Sequence, residues 1–158
     1  VHGHNFVKTI LRLAREREEL RIVADQRGCP TYAGDIADAL LELAGRITEI
    51  DADGVWGTYH YCGEPATTWH GFASAIVERA RESEQSPKRQ RRKTGPAAKS
   101  GPVTAPLVAQ TVTPITTANY PTPAARPMNS VLDCAKLAAR FGIQPRPWQP
   151  GLDAVIGS

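Results

Sequence analysis

The chain has 158 residues, of which 41% are hydrophobic and 22% are charged, with a formal net charge of +3 at pH 7. This length can bury one sizeable core, so we expect one compact unit with additional segments rather than two full domains. No apolar run reaches the length of a membrane span, and the first residues lack the pattern of a signal peptide. We therefore expect a cytoplasmic protein without a membrane partner. The chain opens on Val1 rather than Met, as expected for the downstream part of a longer protein or for a trimmed chain.

The three cysteines, Cys29, Cys62 and Cys134, are odd in number and widely separated along the chain. They form no Cys-x-x-Cys arrangement, which argues against both a disulfide framework and a zinc site. We interpret them as reduced cysteines.

The first part of the chain predicts a helix, a strand and a second helix. Apolar residues recur at three- and four-residue spacing over residues 5–18, which predicts an amphipathic helix, and residues 20–24 form a short β-like run. The loop over residues 25–31 follows, where Thr31 can cap a helix. The second helix is predicted over residues 33–44, with a buried stripe formed by Ile36, Ala37, Leu40, Leu41 and Ala44.

A further strand and helix complete this part, which we bound at residues 1–82. Residues 55–61 are rich in β-forming side chains and predict a strand. Thr67 or Thr68 can cap the third helix, whose apolar stripe is formed by Phe72, Ala73, Ile76, Val77 and Ala80. The alternation of strands and helices is the α/β pattern, although it supplies too few strands for a complete doubly wound sheet.

Residues 83–106 differ in composition, because small, polar and basic residues dominate and aromatic residues are absent. We predict a disordered insertion here. Its basic core, residues 88–93, could contact nucleic acid or imitate a nuclear targeting signal, but a solvated linker is the favoured interpretation. Without the six basic residues of the insertion the formal charge would be −3, so no specific nucleic-acid role follows from the net charge.

The C-terminal part, residues 107–158, contains a proline-rich loop over residues 119–133. A strand is predicted before the loop at residues 112–115, and a helix ended by Gly142 after it at residues 134–141. A last apolar turn follows near the chain end. The prolines fix an extended, stiff loop that holds Arg126 and Asn129. An Arg and an amide on a rigid loop suit a planar anion such as a phosphate, whereas the alternative is a surface Arg on a plain connection.

Three other places are candidates for function. Asn5, Lys8 and Arg12 lie at the start and along one side of the first helix, where free amide groups and cations favour a phosphate, although a charged exposed helix face is the alternative. The loop with Gln26, Pro30 and Thr31 joins a strand to a helix, and such junctions often line pockets. Trp69 and His70 are more readily explained as a packing anchor and a hydrogen-bonded histidine.

Two motifs of nicotinamide-dependent reductases are missing from the sequence. It contains no Gly-x-Gly-x-x-Gly for a dinucleotide phosphate and no Tyr-x-x-x-Lys pair to donate a proton. We therefore assign no catalytic residue. The residues alone indicate a cytoplasmic α/β half-domain with anion-binding loops.

Several segments, in order and with fitting spacing, resemble the C-terminal part of dTDP-4-dehydrorhamnose reductase, the RmlD-type branch of the extended short-chain dehydrogenases. The matching segments are residues 5–9, 11–17, 24–31, 35–38, 57–60, 68–69 and 120–133, followed by Lys136-Leu137 and Trp148. The insertion at 83–106 has no counterpart.

The resemblance implies NADPH-dependent reduction of dTDP-4-dehydro-L-rhamnose to dTDP-L-rhamnose, for bacterial cell-surface polysaccharide. It also implies that an N-terminal Rossmann half, absent from this chain, holds most of the NADPH and the catalytic residues, and it allows Mg²⁺ as an additional cofactor. The loops of this chain would then cover the dTDP-sugar, with Arg126 and Asn129 at the diphosphate or nucleoside and Asn5, Lys8, Gln26, Pro30 and Thr31 in the same cleft.

Three interpretations follow from this resemblance. The chain is the substrate-binding part of such a reductase, inactive alone and partnered by the Rossmann half or by a second copy. It is a non-catalytic module that binds a nucleotide sugar or regulates another subunit. Or it is a degenerate gene remnant.

Overall fold

The computed structural model describes residues 3–48, 55–85 and 106–157. The helices are α1 (Phe6–Glu16), α2 (Ala33–Ile47), α3 (Trp69–Gln85), α4 (Ala135–Phe141) and α5 (Trp148–Gly157), and the strands are β1 (Glu19–Val23), β2 (Arg27–Gly28), β3 (Thr67–Thr68) and β4 (Thr111–Ile115). A 3-10 turn over Thr117–Asn119 follows β4. None of the described helices combines the length and apolar character that a membrane span requires.

Two small sheets organise the described residues. β1 and β4 pair in parallel, from Glu19 opposite Thr111 to Val23 opposite Ile115. β2 and β3 form a separate antiparallel pair of two residues each. The strands predicted at residues 20–24 and 112–115 are thus confirmed, and each begins one residue earlier than predicted. The mixture of helix and sheet confirms the α/β class.

The main core lies where α1 and α3 pack on each other and on the parallel sheet. Ile10 and Ile76 are almost completely inaccessible, as expected from the periodic stripes of both helices. The predicted stripe of α3 is buried as expected, with Phe72 partly buried at its margin. The predicted last apolar turn is in fact the longer helix α5, which contributes Trp148 and Leu152 to this core.

The predicted buried face of α2 is wrong. Its leucines point to solvent, because Leu40 is 59% exposed and Leu41 is 74% exposed, and Ile36, Ala37 and Ala44 are exposed as well. The opposite face, formed by Ala39, Leu43 and Ile47, packs against Phe141 and Ile143 in a second cluster. Since α2 is apolar on both faces, periodicity alone cannot tell which face is covered.

Exchanging Leu41 for glutamate tests this assignment. Because Leu41 is exposed, Leu41→Glu is expected to change the free energy of unfolding by no more than about 0.5 kcal/mol. The control is Ala39→Glu on the buried face of the same helix, which is expected to cause a clear loss. Urea denaturation measures both. Comparable losses for the two variants would contradict the assignment.

The strand predicted at residues 55–61 is also wrong. This segment pairs with no strand among the described residues and stays irregular, with Gly57 at φ +150°. Val55 is buried against the second cluster, and the Tyr59 hydroxyl donates to the Val55 carbonyl at 2.8 Å. The β-forming side chains therefore serve packing rather than sheet pairing.

Of the two predicted helix caps, one is confirmed and the other is wrong. The Thr68 hydroxyl accepts the Gly71 amide at 3.0 Å and so caps α3. Thr31 does not cap α2, which begins after Tyr32 without a side-chain cap. Its hydroxyl instead donates to the Cys29 carbonyl and accepts the Gly63 amide, both at 3.0 Å.

The predicted insertion at 83–106 lies mostly outside the described residues. α3 continues to Gln85, past the boundary placed at residue 82. Residues 86–105, which include the basic core, are not described.

Candidate functional site

The carboxyl ends of β1 and β4 are joined by a compact network around Thr117. Its amide donates to both carboxylate oxygens of Asp25, at 3.0 and 2.9 Å, and its hydroxyl donates to one of them at 2.7 Å. The Gln26 side-chain amide donates to the same hydroxyl at 3.0 Å, and Gln26 is buried. This network fixes the loops that leave the sheet edge where α/β proteins usually bind ligands.

Asp25 gives this network a dependence on pH. The Thr117 amide, and next its hydroxyl, lower the pKa of Asp25 below its ordinary value of 3.8. Because the pKa is lower in the folded state, the contribution of the carboxylate to stability is complete above the ordinary value and is lost as the pH falls through the folded value. We expect the difference in Tm between wild type and Asp25→Asn to shrink below about pH 4. Thermal melts measure it, and a constant difference down to strong acid would contradict the network.

The proline-rich loop is attached to β2 by backbone hydrogen bonds. The Arg27 amide donates to the Met128 carbonyl at 2.8 Å, and the Ser130 amide donates back to the Arg27 carbonyl at 2.9 Å. Asn129 forms a parallel bridge with Arg27, and its side-chain oxygen accepts the Val131 amide at 3.2 Å. This attachment brings Arg126 to the side of the molecule that carries Arg27.

A cleft of about 660 Å³ lies between α1, β1 and the proline-rich loop. We call it the arginine-lined cleft, because its wall includes four arginines and no acidic residue. The arginines are Arg17, Arg21, Arg27 and Arg126, and the aromatic residues of the wall are Phe6, Trp69 and Tyr120. Arg126 makes no hydrogen bond or ion pair with another described residue, so its guanidinium is available to a ligand.

The aromatic rings add a second binding property to this cleft. Phe6 and Trp69 lie with their ring centroids 4.8 Å apart, and Trp69 is 47% exposed. Tyr120 is 57% exposed on the loop. Guanidinium groups pair with phosphate oxygens, and exposed rings stack on flat bases. The cleft therefore suits an anionic molecule with a planar ring, and its volume is typical of small-molecule sites.

A family model described as the RmlD substrate binding domain matches residues 1–158. The chain belongs to this family. The dTDP-4-dehydrorhamnose reductase of Aggregatibacter actinomycetemcomitans is 44% identical over 151 residues, which cover 96% of this chain and 44% of that protein.

Two solved structures resemble this substrate-binding domain. A dTDP-4-dehydrorhamnose reductase of Clostridium acetobutylicum matches with a TM-score of 0.73 and 28% identity, over 98% of this chain and 44% of that one. The Bacillus anthracis reductase, solved in complex with NADP, matches with a TM-score of 0.70 and 28% identity, over 100% of this chain and 45% of that one. The domain thus spans less than half the length of these relatives and corresponds to their C-terminal part, which confirms the predicted fold class.

Only some of the predicted site residues meet in the cleft. Gln26 and Arg126 line it, and Asn129 is adjacent through its bridge to Arg27. Asn5, Lys8 and Arg12 do not line it. Asn5 caps α1 by accepting the Lys8 amide at 2.9 Å, and the Lys8 ammonium donates to the Gly3 carbonyl at 3.2 Å.

Pro30 and Thr31 are also absent from the cleft wall. Both contact Gly63, through the Pro30 carbonyl and the Thr31 hydroxyl. In the structure Pro30 and Thr31 support the loop over residues 25–31 by packing it against Gly63. Substrate contact by these two residues stays a prediction.

Most residues of the cleft wall were not predicted as site residues, and three of its four arginines are among them. Arg17, Arg27 and Tyr120 lie in segments that carry the family resemblance, but no local pattern marks these three residues or Arg21 as binding residues. Trp69 packs on Phe6 as an anchor should, but it also reaches the cleft. His70 is hydrogen-bonded as expected, with Nε2 3.0 Å from the Val112 carbonyl oxygen.

The residues present do not form a complete cofactor site. The sequence has no glycine-rich loop for the NADPH phosphates. Within residues 3–48, 55–85 and 106–157, no group of three His, Cys, Asp or Glu side chains is placed to hold a metal ion, so nothing there supports Mg²⁺.

Proposed function

We propose that this chain binds the dTDP-sugar substrate of a dTDP-4-dehydrorhamnose reductase in the arginine-lined cleft. The observation that carries the proposal is the combination of four arginines, no acidic residue and exposed aromatic rings in one cleft between α1, β1 and the proline-rich loop. Arg126 and Arg27 bind the diphosphate, and Trp69 or Tyr120 stacks on the thymine. Asn129 stiffens the loop that carries Arg126.

We further propose that reduction requires a second, NADPH-binding part outside this chain. The sequence supports this, because it lacks the Tyr-x-x-x-Lys pair and the glycine-rich loop. The relatives named as reductases are more than twice as long, since the match covers 44% of the Aggregatibacter protein.

The outer edge of β1 is the place for that part to join. The Ala24 amide donates to the Ile115 carbonyl, and the Glu18 carbonyl accepts the Thr111 amide. The backbone groups of the even-numbered residues of this segment therefore face β4. The backbone groups of Arg21 and Val23 therefore face away from β4, where no described strand pairs with them. Parallel strands normally belong to wider, covered sheets. A strand of the NADPH-binding part fits this edge and would border the arginine-lined cleft, whose wall includes Arg21 and Val23. A second copy of the chain is the alternative partner.

A chimera tests the proposed function. The matching part of the Aggregatibacter reductase is replaced by this chain, and NADPH oxidation is followed with dTDP-4-dehydrorhamnose. We expect the chimera to reduce the substrate and the isolated chain to be inactive. A chimera that folds, by circular dichroism, but shows no oxidation would contradict the substrate-binding role. Activity of the isolated chain would contradict the need for a second part.

A further inference from the structure

The three cysteines of the chain meet in one place although they are far apart in sequence. Cys29, Cys62 and Cys134 all line a cavity of about 410 Å³, separate from the arginine-lined cleft. All three are free thiols. The cavity gives small oxidants a route to side chains that are otherwise buried, since Cys62 and Cys134 are each only 7% exposed.

Cys62 and Cys134 form the closest pair. Their sulfur atoms are 3.7 Å apart, which is van der Waals contact. Both thiols also lie near the Leu132 carbonyl oxygen, at 3.7 Å from Cys62 and 3.8 Å from Cys134. The sulfurs need to approach by less than about 2 Å to reach the S–S bond length of about 2.05 Å.

The two cysteines belong to segments that support the cleft. Cys134 directly follows the proline-rich loop and precedes α4. Cys62 precedes Gly63, whose amide donates to Thr31 in the loop that begins at Gln26. A covalent bond between them would fix the end of the proline-rich loop to the support of the neighbouring loop.

We propose that Cys62 and Cys134 are an oxidisable dithiol that forms a reversible intramolecular disulfide. The two thiols lose two protons and two electrons, and one S–S bond replaces two S–H bonds. Hydrogen peroxide accepts the protons and electrons and becomes two water molecules. A dithiol reductant reverses the step by thiol–disulfide exchange.

Burial of the thiols affects the rate of disulfide formation, and the distance between the sulfur atoms determines which two cysteines react. Burial is the main cause that raises the pKa of Cys134, so its thiolate is scarce at neutral pH and oxidation accelerates as the solution becomes alkaline. Burial, with a further contribution from the adjacent Cys62 thiol, raises the pKa of Cys29 to about 11. Cys62 and Cys134 are the pair whose sulfur atoms are in contact, so Cys29 is expected to remain a thiol while the other two react.

The test is oxidation of the folded chain with hydrogen peroxide, followed by alkylation of free thiols, intact mass and peptide mapping. We expect one free thiol to remain of the three, a Cys62–Cys134 peptide, and a Tm higher by roughly 5–10 °C because the bond closes a long loop. Reduction should restore the original Tm. Cys29→Ser should still form the bond, whereas Cys134→Ser, the matched control, should not gain stability on oxidation.

Three outcomes would overturn the proposal. They are three free thiols after oxidation at alkaline pH, a disulfide that contains Cys29, or disulfides only between molecules. Guanidinium-unfolded chain treated in parallel confirms that the oxidant and the mapping detect a disulfide when the thiols are accessible.

Discussion

Replacing Arg126 with alanine is expected to weaken dTDP binding by roughly ten- to hundredfold. The guanidinium stands on a stiff loop and is not engaged by another described residue, so its loss removes charge-assisted hydrogen bonds to the diphosphate. Such bonds contribute about 1.5–3 kcal/mol, which corresponds to this change in affinity. Calorimetric titration of dTDP measures it.

Two further variants make this prediction specific. Arg12→Ala is the matched control, because Arg12 is an exposed arginine of α1 that pairs with Glu16 and does not line the cleft. It should leave affinity unchanged. Arg27→Lys should retain part of the binding, since it keeps the charge but not the forked geometry. Equal affinity of wild type and Arg126→Ala would show that the loop does not contact the nucleotide.

Replacing Gly63 with alanine is expected to destabilise the fold by about 3 kcal/mol. A Cβ atom at this position would lie well inside van der Waals contact with the Pro30 carbonyl oxygen, which is a backbone atom that no side-chain rotation can move away. Relief requires the loop that carries Gln26 and Thr31 to move. Urea denaturation measures the loss, and weaker dTDP binding by the remaining folded protein is expected because the loop borders the cleft.

Gly45→Ala is the matched control for this substitution. Gly45 lies in α2, and nothing approaches within 4 Å of the position of a Cβ there. Alanine should therefore stabilise the helix by about 0.5–1 kcal/mol. Similar effects of the two substitutions would mean that Gly63 and Pro30 are not in contact.

The sequence predicts the helices whose apolar residues lie on one side. In α1 and α3 the spacing of Ile10 and Ile76 with their neighbours determines both the helix and its buried face. In α2 the spacing predicts the helix but not the face, because Leu41 and Leu43 lie on different apolar faces. The choice is made by Phe141 and Ile143, which are far away in sequence.

The candidate site is less predictable than the helices for the same physical reason. The proline pattern indicates a stiff loop that carries Arg126. Gln26 lies in a loop between a strand and a helix, and such loops often line binding pockets. Arg126 and Arg27, however, are close to each other because the backbone of Arg27 in β2 forms hydrogen bonds with Met128 and with Ser130. Pairings of this kind, like the contact of Cys62 with Cys134 across 72 residues, follow from the fold and not from local spacing.

The most direct test of the substrate-binding role is a titration of the wild-type chain with dTDP and, separately, with thymidine. We expect saturable binding of dTDP at one site, weaker binding as salt screens the arginines, and much weaker binding of thymidine, which lacks the diphosphate. A cooperatively melting sample that binds neither compound, or that binds both equally, would contradict it.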